Sequence, residues 1–102
     1  MEDIKTYIEQ NKERIIEELF GLIRIPSISS EAAHKDAMMK AAEYWKTTLL
    51  KAGADKAEIY PTSGNPVVYG EKIIDRTKPT VLVYAHYDVM PVDPLEFVEK
   101  VK

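Results

Sequence analysis

Thr80-Val81-Leu82-Val83-Tyr84-Ala85 leads directly into His86-Tyr87-Asp88-Val89. A strand with one wet face alternates apolar and polar residues, whereas a run apolar at every position needs sheet neighbours on its edges and cover on both faces. The run therefore predicts a strand over residues 80 to 86 at the centre of a sheet, and the chain on either side is expected to supply its surroundings.

Just upstream, Asp75-Arg-Thr-Lys-Pro79 concentrates turn formers. Before it, Val67 to Lys72 predicts a short strand over 66 to 72, and Thr62-Ser-Gly-Asn-Pro66 is a turn. Ala57, Ile59 and Pro61 alternate with Glu58 and Tyr60, the period-two pattern of a half-buried strand over 57 to 61. The two short strands suit a hairpin or antiparallel neighbours.

Further upstream the period lengthens. Met38, Ala41, Ala42, Trp45, Leu49 and Ala52 draw one stripe on a helix over 32 to 52, and Gly53 is its natural left-handed closing residue. Trp45 and the Met38/Met39 pair are expected to be core. Ile4, Ile8, Ile15, Leu19, Leu22 and Ile23 draw a second stripe over 3 to 24, with Asp3 as N-cap and a solvated opposite face. Pro26 pushes Ile25 out of the helical region and ends that helix. The hydroxyls of Pro26-Ser-Ile-Ser-Ser30 compete for backbone hydrogen bonds and mark a loop. The expected fold is α/β, with two N-terminal helices packed on a mixed β-sheet.

Composition narrows the function. The 102 residues carry 14 Lys+Arg against 17 Asp+Glu, a net charge of −3 with the signs interspersed, so no basic face is available for nucleic acid. Acidic residues near Met1 do not suit a signal peptide, and the longest apolar run, Val81 to Ala85, is far short of the roughly 20 residues of a spanning helix. No membrane partner is expected. There is no Cys, which removes thiol nucleophiles, Cys-ligated zinc and disulfides, and makes a cytoplasmic location the default expectation.

Chemistry concentrates where the apolar run ends, because ligands of open α/β sheets gather at the carboxyl ends of strands. His86 and Asp88 are two residues apart, on the same side of an extended backbone. A carboxylate on one ring nitrogen sets the tautomer and leaves the other nitrogen for a metal. The triplet alone is a weak signal and better suits a hydrogen-bonded histidine and a capping aspartate. His34 is expected to be a solvated helix-start residue. Asp93 suits a turn before Pro94, and Glu96 and Glu99 suit the polar face of a short helix.

Val81-Leu-Val-Tyr-Ala-His86-Tyr-Asp88-Val-Met-Pro91-Val-Asp-Pro94-Leu-Glu96 resembles the first metal-binding segment of the M20 zinc metallopeptidases, and most closely their dipeptidase branch. Leu22-Ile-Arg-Ile-Pro26-Ser-Ile-Ser29 resembles that family's first loop. Ala85 replaces the family's usual Gly, Met90 a Gln of the dipeptidase branch, and Phe97-Val98 a Leu-Trp pair. The resemblance implies a partial catalytic domain, residues 1 to 102 being its N-terminal part, with the lid or dimerisation domain absent. It implies that His86 is a zinc ligand and that Asp88 is the catalytic-site carboxylate orienting it. It further implies two zinc ions per site in the parent enzyme, a small peptide substrate, and a general base and further ligands beyond Lys102.

A zinc that activates water needs about three protein ligands, an open position and a base. One placed ligand is too few, so this chain is expected to bind zinc weakly or not at all and to be inactive alone. It is also expected to self-associate through an exposed sheet edge or helix face. An M20-like amidohydrolase of N-acyl amino acids and a non-catalytic α/β binding module are the alternative readings.

Overall fold

The computed structural model describes residues 2–90. Helix α1 spans Glu2–Ile23, a single 3-10 turn spans Ala32–His34, and helix α2 follows at Lys35–Lys51. Strands β1, Lys56–Tyr60, and β2, Val67–Glu71, pair antiparallel, with Lys56 opposite Glu71 and Tyr60 opposite Val67. The α/β class, both helices and both short strands agree with the sequence pattern to within a few residues. Because α1 already begins at Glu2, Asp3 lies inside its first turn and not at the cap.

Helix α2 and the hairpin form the packed part. Met38, Ala41 and Ala42 are buried on α2 and Ala57 on β1, so small side chains let the helix lie close to the strands. The ring edge of Tyr60 meets Tyr69 diagonally across the ladder, at 6.3 Å between centroids. Met39 is exposed, unlike its neighbour Met38, because consecutive helical positions point about 100° apart. Trp45 is half-buried. Thr62 closes the hairpin turn, its hydroxyl donating to the Asn65 carbonyl at 2.7 Å and accepting from the Gly64 N–H at 3.0 Å.

The end of α2 follows the expected chemistry. Gly53 has φ +107°, its N–H donates to the Leu50 carbonyl at 3.1 Å, and the Ala54 N–H donates to the Leu49 carbonyl at 3.0 Å. These two bonds satisfy carbonyls that the helix end would otherwise leave open. An L side chain at that φ is strained, so Gly53→Ala should lower stability by about 1–2 kcal/mol. Urea unfolding monitored by circular dichroism checks this, and an unchanged midpoint at constant slope would contradict it.

Two expectations are corrected. Helix α1 does not pack on the sheet: its nearest neighbour is α2, where the Tyr44 hydroxyl donates to the Glu18 carbonyl at 2.5 Å. That approach depends on Gly21, where an added Cβ would fall 2.6 Å from the Tyr44 oxygen. Ile4, Ile8, Ile15, Leu19 and Ile23 remain exposed, so the stripe is real but meets no cover among the described residues.

The second correction concerns residues 80–86, which form no ladder, leaving a two-stranded antiparallel sheet in place of the expected mixed one. Val81, Leu82, Val83 and Tyr84 are 82–89% exposed. The physical reason lies in the same pattern that predicts the strand: a run apolar on both faces needs neighbours on both edges, and the described residues offer none. The radius of gyration, 16.6 Å, exceeds the roughly 13 Å of a compact 100-residue domain.

An apolar, unpaired segment of this kind templates pairing between copies. The 102-residue chain should therefore associate, with a sedimentation-derived mass that rises with concentration, and Val83→Lys should reduce that rise. A monomer mass constant up to high concentration would contradict the expectation.

Candidate metal centre

Residues 86–89 are held by contacts that cross the chain. The Val89 N–H donates to the Ser27 carbonyl at 3.0 Å, and the hydroxyl of fully buried Ser27 makes a long 3.5 Å contact to the Tyr87 carbonyl. The Ser29 hydroxyl donates to Oδ2 of Asp88 at 2.5 Å. The Tyr87 hydroxyl donates to the Pro66 carbonyl at 2.6 Å, and the Asn65 amide donates to the Ser29 carbonyl at 3.4 Å. Three loops thus converge: 26–30 after α1, the hairpin turn at 62–66, and 86–89.

Within this junction Tyr87 is half-buried, and burial pushes its hydroxyl above the ordinary value, with a smaller push from the Asp88 charge. It therefore stays protonated at neutral pH and keeps its donor role toward Pro66. His86 and Asp88 are both exposed. The His86 ring meets the Tyr84 ring edge-on, with centroids 5.3 Å apart.

The structure brings Asp88 to Ser29 and not to His86: no hydrogen bond or ion pair joins His86 to Asp88 among the described residues. Oδ2 is occupied by Ser29, and Oδ1 has no hydrogen-bond partner among the described residues. His34, expected to be solvated and unpartnered, is half-buried, with its Nε2 3.1 Å from Glu31 Oε2 three positions earlier. Helical spacing explains the meeting. Asp93, Glu96 and Glu99 lie outside the described residues.

An exposed imidazole can serve a metal as one ligand, while the carboxylate two residues later is held by Ser29 and makes no bond to the ring. It does not make a complete site: among the described residues no three His, Asp or Glu side chains converge. A cleft of about 720 Å³ lies between α1 and α2 and is lined by Tyr7, Arg14, Glu18, Lys40, Glu43 and Tyr44 among others. It mixes both charge signs and includes neither His86 nor Asp88. No helix among the described residues is long and apolar enough to cross a membrane.

Sequence reasoning missed Ser27 and Ser29 as the groups that hold this segment. Their hydroxyls were expected to serve their own loop, and instead they reach residues 60 and 59 positions along the chain. The signal available was the Pro26-Ser-Ile-Ser29 loop itself, which carries the weaker half of the family resemblance.

No family model and no solved structure matches the chain. Known proteins do. The chain is 34% identical over 98 residues to the cysteinylglycine-S-conjugate dipeptidase of Corynebacterium striatum, covering 88% of this chain and 22% of that protein. It is 29% identical over 93 residues to the Cys-Gly metallodipeptidase of Schizosaccharomyces pombe, and 31% over 96 residues to that of Candida albicans. Each of these two alignments covers 82% of this chain and 20% of the relative, so the chain spans about a fifth of the length of the curated relatives it matches. With His86-Tyr-Asp88 anchored against the Pro26–Ser29 loop and relatives of this one kind, the chain is a homologue of the Cys-Gly dipeptidases of the M20 metallopeptidase family.

Proposed function

We propose that residues 1 to 102 are the N-terminal part of the catalytic domain of a zinc-dependent dipeptidase whose substrates include cysteinylglycine. The observation that carries this reading is the anchoring of residues 86–89. The donor segment is fixed by two other loops even though the apolar run before it has no strand partner among the described residues. The names of the relatives support a dipeptide substrate over an N-acyl amino acid. The exposed faces of α1 and of residues 81–84 are the surfaces that the remainder of a larger domain would cover. The absence of Cys accords with a reducing, cytoplasmic setting.

In this reading His86 would hold the zinc through one ring nitrogen, and Asp88 would accept from the other, fixing the tautomer and raising the basicity of the ligand. A zinc held there would supply the site with a water of lowered pKa and a Lewis acid for the scissile carbonyl. The described residues contribute orientation and not proton transfer, so the base and the other ligands belong to the rest of the longer protein.

The test is hydrolysis of cysteinylglycine, followed by release of glycine, with the 102-residue chain and with the longer protein. The longer protein should turn over, lose activity to a chelator and regain it with zinc, while the 102-residue chain should show no turnover. Chelator-insensitive hydrolysis, or full activity of the 102-residue chain, would overturn the reading. Hydrolysis of N-acyl amino acids in place of dipeptides would replace it with the amidohydrolase alternative.

A further inference from the structure

We propose that Ser29 is a positioning residue for the metal site, acting through Asp88. The inference rests on the dipeptidase reading, but its geometric basis is separate from it. The Ser29 hydroxyl donates to Asp88 Oδ2 at 2.5 Å from a loop 59 positions earlier in the chain. Nothing else among the described residues hydrogen-bonds that carboxylate, so the hydroxyl alone selects its rotation about the Cβ–Cγ bond. With Oδ2 held, Oδ1 is the oxygen left to accept a proton from an imidazole.

Ser29 is itself fixed. Its carbonyl accepts from the Asn65 amide at 3.4 Å, and its loop is tied to the 86–89 segment by the Val89 N–H on the Ser27 carbonyl at 3.0 Å. Ser27 is fully buried, which pins the loop two residues before the donor. A carboxylate that must orient a histidine gains from such an anchor, because a freely rotating one would spend only part of its time in the orienting position. The position therefore requires a hydroxyl. Thr supplies one in the same place, Ala supplies none, and the thiol of Cys is a weak donor of similar size.

Two measurements test this with Ser29→Ala, Ser29→Thr and Ser29→Cys. In the 102-residue chain, the side-chain carboxyl carbon resonance of Asp88 should move in Ser29→Ala and return toward the wild-type position in Ser29→Thr, at unchanged helical circular dichroism. An unmoved Asp88 resonance would overturn the proposal; should Ser29→Ala fail to fold, Ser29→Cys carries the same comparison. In the zinc-loaded enzyme, competition with a chromophoric chelator should show zinc affinity about 10- to 100-fold weaker for Ser29→Ala, with recovery in Ser29→Thr. Unchanged affinity in Ser29→Ala alongside loss in His86→Ala would overturn the role of Ser29 and leave the metal reading intact. Unchanged affinity in both would overturn the metal reading and the role of Ser29 with it.

Discussion

His86→Ala should abolish cysteinylglycine hydrolysis by the longer protein, with a loss larger than the roughly 10- to 100-fold that follows removal of a group behind a metal ligand. The imidazole is the only histidine in the segment where the three loops converge, and it is exposed, so its removal costs the fold little. It meets the Tyr84 ring edge-on and makes no side-chain hydrogen bond or ion pair among the described residues. The expected signature is therefore loss of zinc and of turnover, with an unfolding midpoint equal to that of the metal-free wild type. Retention of full zinc-dependent activity would show that this histidine is not a ligand.

Asp88→Ala should lower turnover by about 10- to 100-fold, with zinc bound more weakly but not lost. A second consequence separates this variant from His86→Ala. Asp88 accepts from Ser29 across two loops, so its removal also frees the Ser29 hydroxyl and loosens residues 86–89. Hydrogen exchange at the Val89 amide, which donates to the Ser27 carbonyl, should then quicken in Asp88→Ala and stay as in the wild type in His86→Ala. Equal turnover for Asp88→Ala and the wild type would remove the orienting role.

Local patterns were legible in the sequence because their causes are local. The stripe Met38, Ala41, Ala42 follows from helical spacing, Gly53 from the left-handed closure, and the hairpin from alternation around the Thr62–Pro66 turn. Residues 80–86 show the limit of such reasoning. Their pattern states what surroundings a strand would need, while a ladder exists only where another strand donates and accepts, and no described residue does so. The stripe of α1 was legible for the same reason as that of α2, yet a stripe does not say what covers it.

The candidate site divides in the same way. His86 and Asp88 were visible as a triplet at the end of an apolar run, and the resemblance of residues 81–96 to a metal-binding segment is what marks them as a ligand and its partner. Ser29 was not, since its bond to Asp88 joins positions 59 apart and arises only when the first loop folds onto the last described one. The contact of His34 with Glu31 lies within reach of i, i+3 spacing, since Glu31 immediately precedes the 3-10 turn at Ala32–His34 where the predicted helix begins.

The central claim is that residues 86–89 carry a zinc ligand, and zinc content after exhaustive dialysis measures it most directly. Elemental analysis of the longer protein should find bound zinc in the wild type and clearly less in His86→Ala, with both proteins folded by circular dichroism. Equal zinc in the two proteins, or none in a catalytically active wild type, would contradict the claim.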